Sequence, residues 1–363
     1  MGDETLPIKS SGLTKDDIAL MVRELVLVTL PHKDPGDIPE WVRRNGNITL
    51  AVQPGYKDDP QDSRRRVCIG YPYGSVVRLI LYWIVTETRR TGQPRLELGK
   101  SLADFMRKLG ITPDDSTGKR SSSNSVHRQL ERLIHAKIRF EQFNESDTGK
   151  SRAWLDMPVA KAGWLWWDAK DEEQKALWNS YIILNEDFFK TILTHPVPVR
   201  MMTLLALKKS PLGLDLYAWA TIESYKAQHH KKGRFVAWKL LHEQFGTELG
   251  TVKNFAAKAQ RELQKIMLNC PTIKLEIVRG GVQVLAGSLP DVSTRAAHEA
   301  LQPPPSTPVI TIPTGKALEH VMHNMSTRES AVIIATTFQK AVERGEVENT
   351  DEAYISFANQ YIA

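Results

Sequence analysis

The sequence predicts an α+β protein built from two tandem winged-helix domains with helical N-terminal and C-terminal appendages. Three observations predict it. The same order of elements occurs twice, the third helix of each copy carries a basic face, and a basic centre lies between two acidic ends. A repeat of order is weaker evidence than a repeat of letters, but two copies tell against a chance pattern.

In the first copy, an apolar helix is expected over residues 75–90, a short strand over 95–98 and a helix over 101–109. A third helix follows over about 123–136, then an apolar strand region from Ile138 onward. Val126, Leu130, Leu133 and Ile134 recur at helical spacing and form the stripe that faces the core. His127, Arg128 and Arg132 lie off that stripe, and the approach to the helix is polar and basic, with Lys119, Arg120, Ser123 and Asn124. Backbone N–H groups and hydroxyls at a helix N-terminus suit phosphate, and long or amide side chains suit base edges. A solvated helix face beside a loop reads the same residues without DNA.

The second copy repeats the order: helix 212–226, strand 234–237, helix 240–245, turn 246–250, helix 251–268 and a hairpin over 272–285 turned at Gly280-Gly281. Val252, Phe255, Ala256, Ala259, Leu263, Ile266 and Met267 are expected to face inward. Asn254, Lys258, Arg261 and Lys265 form the opposite stripe, joined by Lys253, with Glu262 as the only acid. Surface helices ordinarily mix signs to gain i,i+4 pairs, so a nearly all-basic face points to a polyanion. Lys253 and Lys258 are candidates for phosphate, Asn254 and Arg261 for paired hydrogen bonds to bases.

Charge by region agrees. The 363 residues carry +6, but residues 1–60 carry −3 and 317–363 carry −4, leaving +13 on 61–316. The division expected is a helix and extended lead-in over 1–66 and winged-helix domains over 67–195 and 196–288. A proline-rich linker over 289–316 and a small acidic helical segment over 317–363 complete it. In the lead-in, Ile18, Met21, Val22, Leu25 and Val26 recur at helical spacing behind Asp16 and Asp17, which predicts a helix over 16–30. The acidic C-terminal helices suit either a protein partner or a small capping bundle.

No apolar run reaches the roughly 18 residues that cross a bilayer, and the start lacks a signal peptide's pattern, so a cytoplasmic protein is expected. Cys68 and Cys270 lack metal-ligand spacing and are expected as reduced, packed thiols. Enzymatic sites fail on inspection, and neither a cofactor nor a metal is expected. Thr148-Gly149-Lys150-Ser151 resembles the end of a phosphate-binding loop, but Asn144 stands where its first glycine belongs. The segment reads instead as a wing tip from which Lys150 reaches a backbone phosphate. His320 and His323 lack a third ligand, and His229-His230 lacks the alternate spacing of a relaxase. Trp154, Trp164, Trp166 and Trp167 read as packing residues rather than a stacking platform for unpaired bases. Tyr82, Trp83, Tyr217 and Trp219 read as core.

The segments YPYGSVVRLILYWIVTETRRTG (71–92) and LELGKSLADFMRKLG (96–110) resemble the plasmid-encoded RepA replication initiators. HPVPV (195–199), SPLGLDLYAWATIES (210–224) and WKLLHEQFG (238–246) continue the resemblance in the same order, over roughly 68–287. The resemblance implies an initiator that binds direct repeats, called iterons, in double-stranded origin DNA and helps to open an adjacent AT-rich segment. It implies host partners, DnaA and a DnaB-type helicase, and monomers that initiate while homodimers limit copy number. A winged-helix repressor of its own or a neighbouring operon is the alternative from another class.

Overall fold

The two copies fold with the same strand topology. In the computed structural model, which describes residues 13–301 apart from 60, 114–120, 147–148, 166–179, 195, 229 and 231, the first copy opens with α2 (Gly74–Thr91). This helix ends where Gly92 turns left-handed at φ 69° and returns its N–H to the Thr88 carbonyl. A residue with a Cβ is strained there, which is why the glycine stops the helix. β6 (Arg95–Glu97), α3 (Leu102–Lys108) and α4 (Ser122–His135) follow, and Ser101 caps α3 by accepting the Asp104 N–H.

The second copy runs α7 (Pro211–Ala227), β12 (Arg234–Ala237) and α8 (Trp238–Leu241), extended by a single π-type turn at His242–Gly246. α9 (Val252–Asn269) and the hairpin of β13 (Leu275–Val278) and β14 (Gly281–Val284) complete it. Gly280 turns that hairpin at φ 88°. In the sheet the order is β12-β14-β13. The first copy matches it with β6-β10-β9, where β9 is Ala160–Trp164 and β10 is Tyr181–Leu184. In each, the strand between the first two helices pairs with the last strand.

The first copy differs by an insertion. The apolar stretch from Ile138, expected to lead into the wing, forms β7 (Lys137–Ser146) and returns as β8 (Gly149–Asp156). This hairpin joins β2 (Trp41–Asn45) and β3 (Ile48–Gln53) in a sheet ordered β2-β3-β7-β8, away from β6. Its inner face carries Leu50, Val52, Ile138 and Phe140, all buried. The register leaves Trp154, opposite Glu141, on the other face at 66% exposure, contrary to the packing expected of it. Alternation decides this: Leu155 faces inward beside Phe140, so its neighbour cannot. Trp164 is half-buried on β9, whereas Trp166 and Trp167 lie outside the described residues.

The N-terminal lead-in departs furthest from expectation. Instead of one helix over 16–30, the chain forms a short turn, β1 (Ile18–Val22) and the brief α1 (Arg23–Leu27). All five residues of β1 are buried, and they pair antiparallel with β11 (Pro196–Arg200) from Ile18 opposite Arg200 to Val22 opposite Pro196. A short apolar run fits a strand buried on both faces as well as a helix, and periodicity alone does not separate them. The free edge of β11 decides. Thr14 closes the start by donating its N–H and hydroxyl to Asp17 Oδ2, each at 2.8 Å.

Two further expectations change. The linker expected from 289 contains α10 (Thr294–Ala300), capped by Ser293, with Val292, Ala297 and Leu301 buried. Pro290 stands before this helix and the other prolines of the stretch, from Pro303 on, stand after it, so none interrupts it. Cys68 is exposed on β5 (Asp62–Gly70), which pairs with β4 (Gly55–Asp59), while Cys270 is buried. Burial pushes the Cys270 thiol up to about 12, so it stays protonated. The buried side chains of both copies form one continuous apolar core, including Tyr82, Tyr217 and Trp219, with α2 packed on α7. The helices expected over 317–363, with His320 and His323, lie outside the described residues, and none among those described is long and apolar enough to cross a membrane.

Candidate nucleic-acid interface

The third helices of the two copies open alike. Ser121 caps α4 by accepting the Asn124 N–H at 3.2 Å, and Thr251 caps α9 by accepting the Asn254 N–H at 3.2 Å. Each helix therefore starts with a hydroxyl cap and an asparagine in its first turn, followed four residues later by Arg128 or Lys258. A cap satisfies one orphan N–H and fixes where the helix begins, which here places an exposed asparagine at each N-terminus.

On α9 the exposed side is more basic than the sequence suggests. Glu262, the single acid, turns inward and is 6% exposed, where its carboxylate faces Gly213 in the first turn of α7. Lys253, Asn254, Arg261 and Lys265 are exposed, and Lys258 is partly so. Lys265 reaches Glu262 at 3.1 Å and Arg261 Nε donates to the Ala257 carbonyl at 3.2 Å, while Lys253 and Lys258 have no ion pair among the described residues. Phe255, Ala259, Leu263 and Ile266 hold the inner face, but Val252, the first residue of the helix, is 37% exposed rather than buried.

α4 is mixed. Asn124 is exposed, Arg128 is partly exposed, and Ser123 turns back so that its hydroxyl lies 3.5 Å from the Met106 sulfur of α3. His127 is half-buried, and burial lowers its pKa. Arg132 departs from the expected face. Its guanidinium donates to the carbonyls of Ile69 and Tyr71 at 3.0 and 3.3 Å, meets Asp34 at 3.3 Å and lies over the Tyr73 ring. Those bonds anchor β5 to α4 and hold Arg132 against the backbone instead of leaving it exposed. Lys119 and Arg120 lie outside the described residues, and Lys150 is the second residue of β8, paired with Glu145. Gly149 to Ser151 thus belongs to an antiparallel hairpin, without the strand-to-helix turn that a phosphate-binding loop needs. Among the described residues no group of His, Cys, Asp and Glu could hold a metal ion.

What ties α2 to α7, the opening helices of the two copies, was not visible in the sequence. Asp215 of α7 accepts two hydrogen bonds from Arg78 of α2, Nε to Oδ1 and Nη2 to Oδ2, both 2.7 Å. The other Arg78 N–H groups go to the carbonyls of Leu30, Pro31 and Gly74, so all five donors are used. His32 adds its Nε2 to Asp215 at 2.7 Å. Burial alone would raise the Asp215 carboxyl, but the Arg78 charge and the bonds from His32 and Arg78 hold it at about 2. Beside this cluster, Glu248 in the turn before α9 accepts the His32 and Lys33 N–H groups and Arg43 Nη2, the last at 2.7 Å. Burial lowers buried Arg43 to about 10, and it remains charged at neutral pH. The lead-in therefore positions the turn that aims α9.

His32 makes the assembly sensitive to acid. Burial pushes its imidazole down to about 4 from 6.5, against the pull of Asp215. The unfolded chain therefore takes up a proton near pH 6.5 that the folded chain refuses until about pH 4, and stability falls as pH drops through that window. One such proton contributes a slope of about 1.4 kcal/mol per pH unit. Urea unfolding from pH 7 to 4 should give the His32→Gln variant a slope shallower by that amount, and equal slopes would show that His32 is not a neutral buried group.

Residues 71–240 match a family model described as plasmid encoded RepA protein. Among solved structures, RctB domains 2–3 align at 10% identity over 67% of this chain and 82% of that one, with a TM-score of 0.41. A selenomethionine structure of RctB domains 2 and 3 aligns at 9% identity over 68% and 85%, with a TM-score of 0.42. No curated protein matches the chain.

Proposed function

We propose, from the match of residues 71–240 to the plasmid-encoded RepA family, that the protein is a non-enzymatic replication initiator that binds repeated sites in double-stranded origin DNA. Two winged-helix domains do the binding, with α4 and α9 as recognition helices. One observation carries the reading: both helices occupy the same place in the same strand topology, and each presents an asparagine and, four residues on, a cation. Two such helices on one chain can enter successive major grooves and read an asymmetric repeat, as dimers of smaller modules do.

The roles divide by chemistry. Asn124, Asn254 and Arg261 read base edges, since amide and guanidinium groups bond in pairs. Lys253, Lys258, Lys265 and Arg128 neutralise phosphates, which gives affinity that falls with salt. Lys119, Arg120 and Lys150 join the phosphate set. Ser123, His127 and Arg132 support α4 from its packed side. Origin opening, recruitment of DnaA and a DnaB-type helicase, and copy control by homodimers follow from the family premise.

A nuclease footprint on the DNA flanking its gene, run over a salt series beside Arg261→Ala, tests this. Regularly spaced protected repeats are expected, and the variant should bind about 1–3 kcal/mol more weakly with looser choice at one position. A single protected operator would favour a repressor, and no discrete protection at low salt would remove sequence-specific duplex binding.

A further inference from the structure

We propose that the β4–β5 hairpin is a second DNA-contacting element of the first domain, gripping backbone phosphates beside α4 through Arg64 and Arg65. The inference rests on the reading of α4 as a recognition helix. The acidic balance of the first 60 residues hides this element, because its cations lie just past that boundary.

The hairpin is built onto α4. Gly55 sits so close to the last turn of the helix that a Cβ there would come within 2.4 Å of His135 Cβ. Two residues on, Lys57 Nζ pairs with Glu131 at 2.8 Å, so β4 runs back along α4 from its last turn towards its first. On the return strand Arg132 binds the Ile69 carbonyl, and its guanidinium fills the space where Gly70 would carry a Cβ. These contacts make the hairpin move with the helix. A ridge lying parallel to a recognition helix is placed to follow the phosphate strand that borders the groove.

The charges are sorted accordingly. Arg66 is used inside the hairpin, donating to the Tyr56 carbonyl at 2.6 Å and meeting Asp58 at 3.5 Å. Asp59 and Asp62 are turn residues whose carboxylates accept the N–H groups of Gln61 and Arg64, each at 3.0 Å. Arg64 and Arg65 are exposed, and their side chains have no hydrogen bond or ion pair among the described residues. Both lie in the stretch 63–65 that the register leaves unpaired, where the ladder passes from Arg66 opposite Asp58 to Asp62 opposite Asp59. Two free guanidinium groups at the edge of a groove-facing helix match the fork geometry of phosphate oxygens.

The test compares the full chain with Arg64→Ala/Arg65→Ala by fluorescence anisotropy, on the flanking DNA and on a duplex of random sequence, over a salt series. The slope of log Kd against log salt should fall by about 2 on both duplexes, since each lost phosphate contact removes about 0.9. Arg64→Lys/Arg65→Lys should keep the parent slope, which separates lost charge from a damaged hairpin. An unchanged slope for the alanine variant overturns the proposal, as does an equal loss in the lysine variant. Failure of the initiator reading shows itself differently: the parent chain then binds both duplexes alike, while the slope on either still judges the hairpin.

Discussion

Arg78→Leu should cost about 3–5 kcal/mol of folding stability, the loss expected when one partner of a buried ion pair is removed and the other is left uncompensated. Arg78 is 2% exposed and Asp215 9%, so water does not replace what the substitution takes away. Besides Asp215, the carbonyls of Leu30 and Pro31 lose their donor. Arg78→Lys keeps the charge but has no planar fork, and it should recover only part of the loss. Urea unfolding of Arg78→Leu, Asp215→Leu and the double variant would measure the coupling. The double variant should be less destabilised than the sum of the singles, because no lone charge remains. Strictly additive losses, or a single loss below about 1 kcal/mol, would mean that the pair is not buried as described.

Phe255→Ala should cost a comparable amount, about 3–5 kcal/mol for a fully buried phenyl ring. The ring is 0% exposed and meets Trp238 edge-to-face at 6.4 Å and His242 at 5.6 Å, so it joins α9 to α8 and to the turn after it. Gly246 lies beneath it so closely that a Cβ would stand 2.2 Å from the ring. No neighbour is therefore ready to fill the void. Phe255→Leu keeps most of the volume and should lose under half as much. Chemical denaturation of both variants decides the matter, and equal losses would mean that the ring's shape, rather than its volume, holds the helix.

The long helices were legible because their apolar periodicity extends over several turns. α2 and α7 fall within a residue or two of their expected ends, where Gly92 and Pro211 supply local stop and start signals. The Gly280-Gly281 hairpin was equally plain. β1 was not, since its five apolar residues take their conformation from β11, far along the chain. The sequence reading put Arg132 among the groove-facing cations because helical spacing sees only angle, whereas its fate depends on carbonyls at Ile69 and Tyr71. Glu262 misled in the opposite sense, reading as an exposed acid while lying inside. The buried cluster of Arg78, Asp215, His32, Arg43 and Glu248 left no trace, because isolated charges within apolar stretches carry no pattern of their own. The paired cap and asparagine of α4 and α9, Ser121 with Asn124 and Thr251 with Asn254, could have been found by aligning the two copies.

The pairing of β1 with β11 sets the order in which a nascent chain can mature. Ile18 is made well before its partner Arg200, which follows only after the whole of the first copy. Until then β1 is an apolar strand with an open edge, the kind of segment that invites wrong pairing during synthesis. The same delay orders the second copy, because Glu248 must still be made before it can close on the backbone of His32 and Lys33. Folding of the first copy can thus begin locally, while β1 of the lead-in waits for β11 before it finds its place.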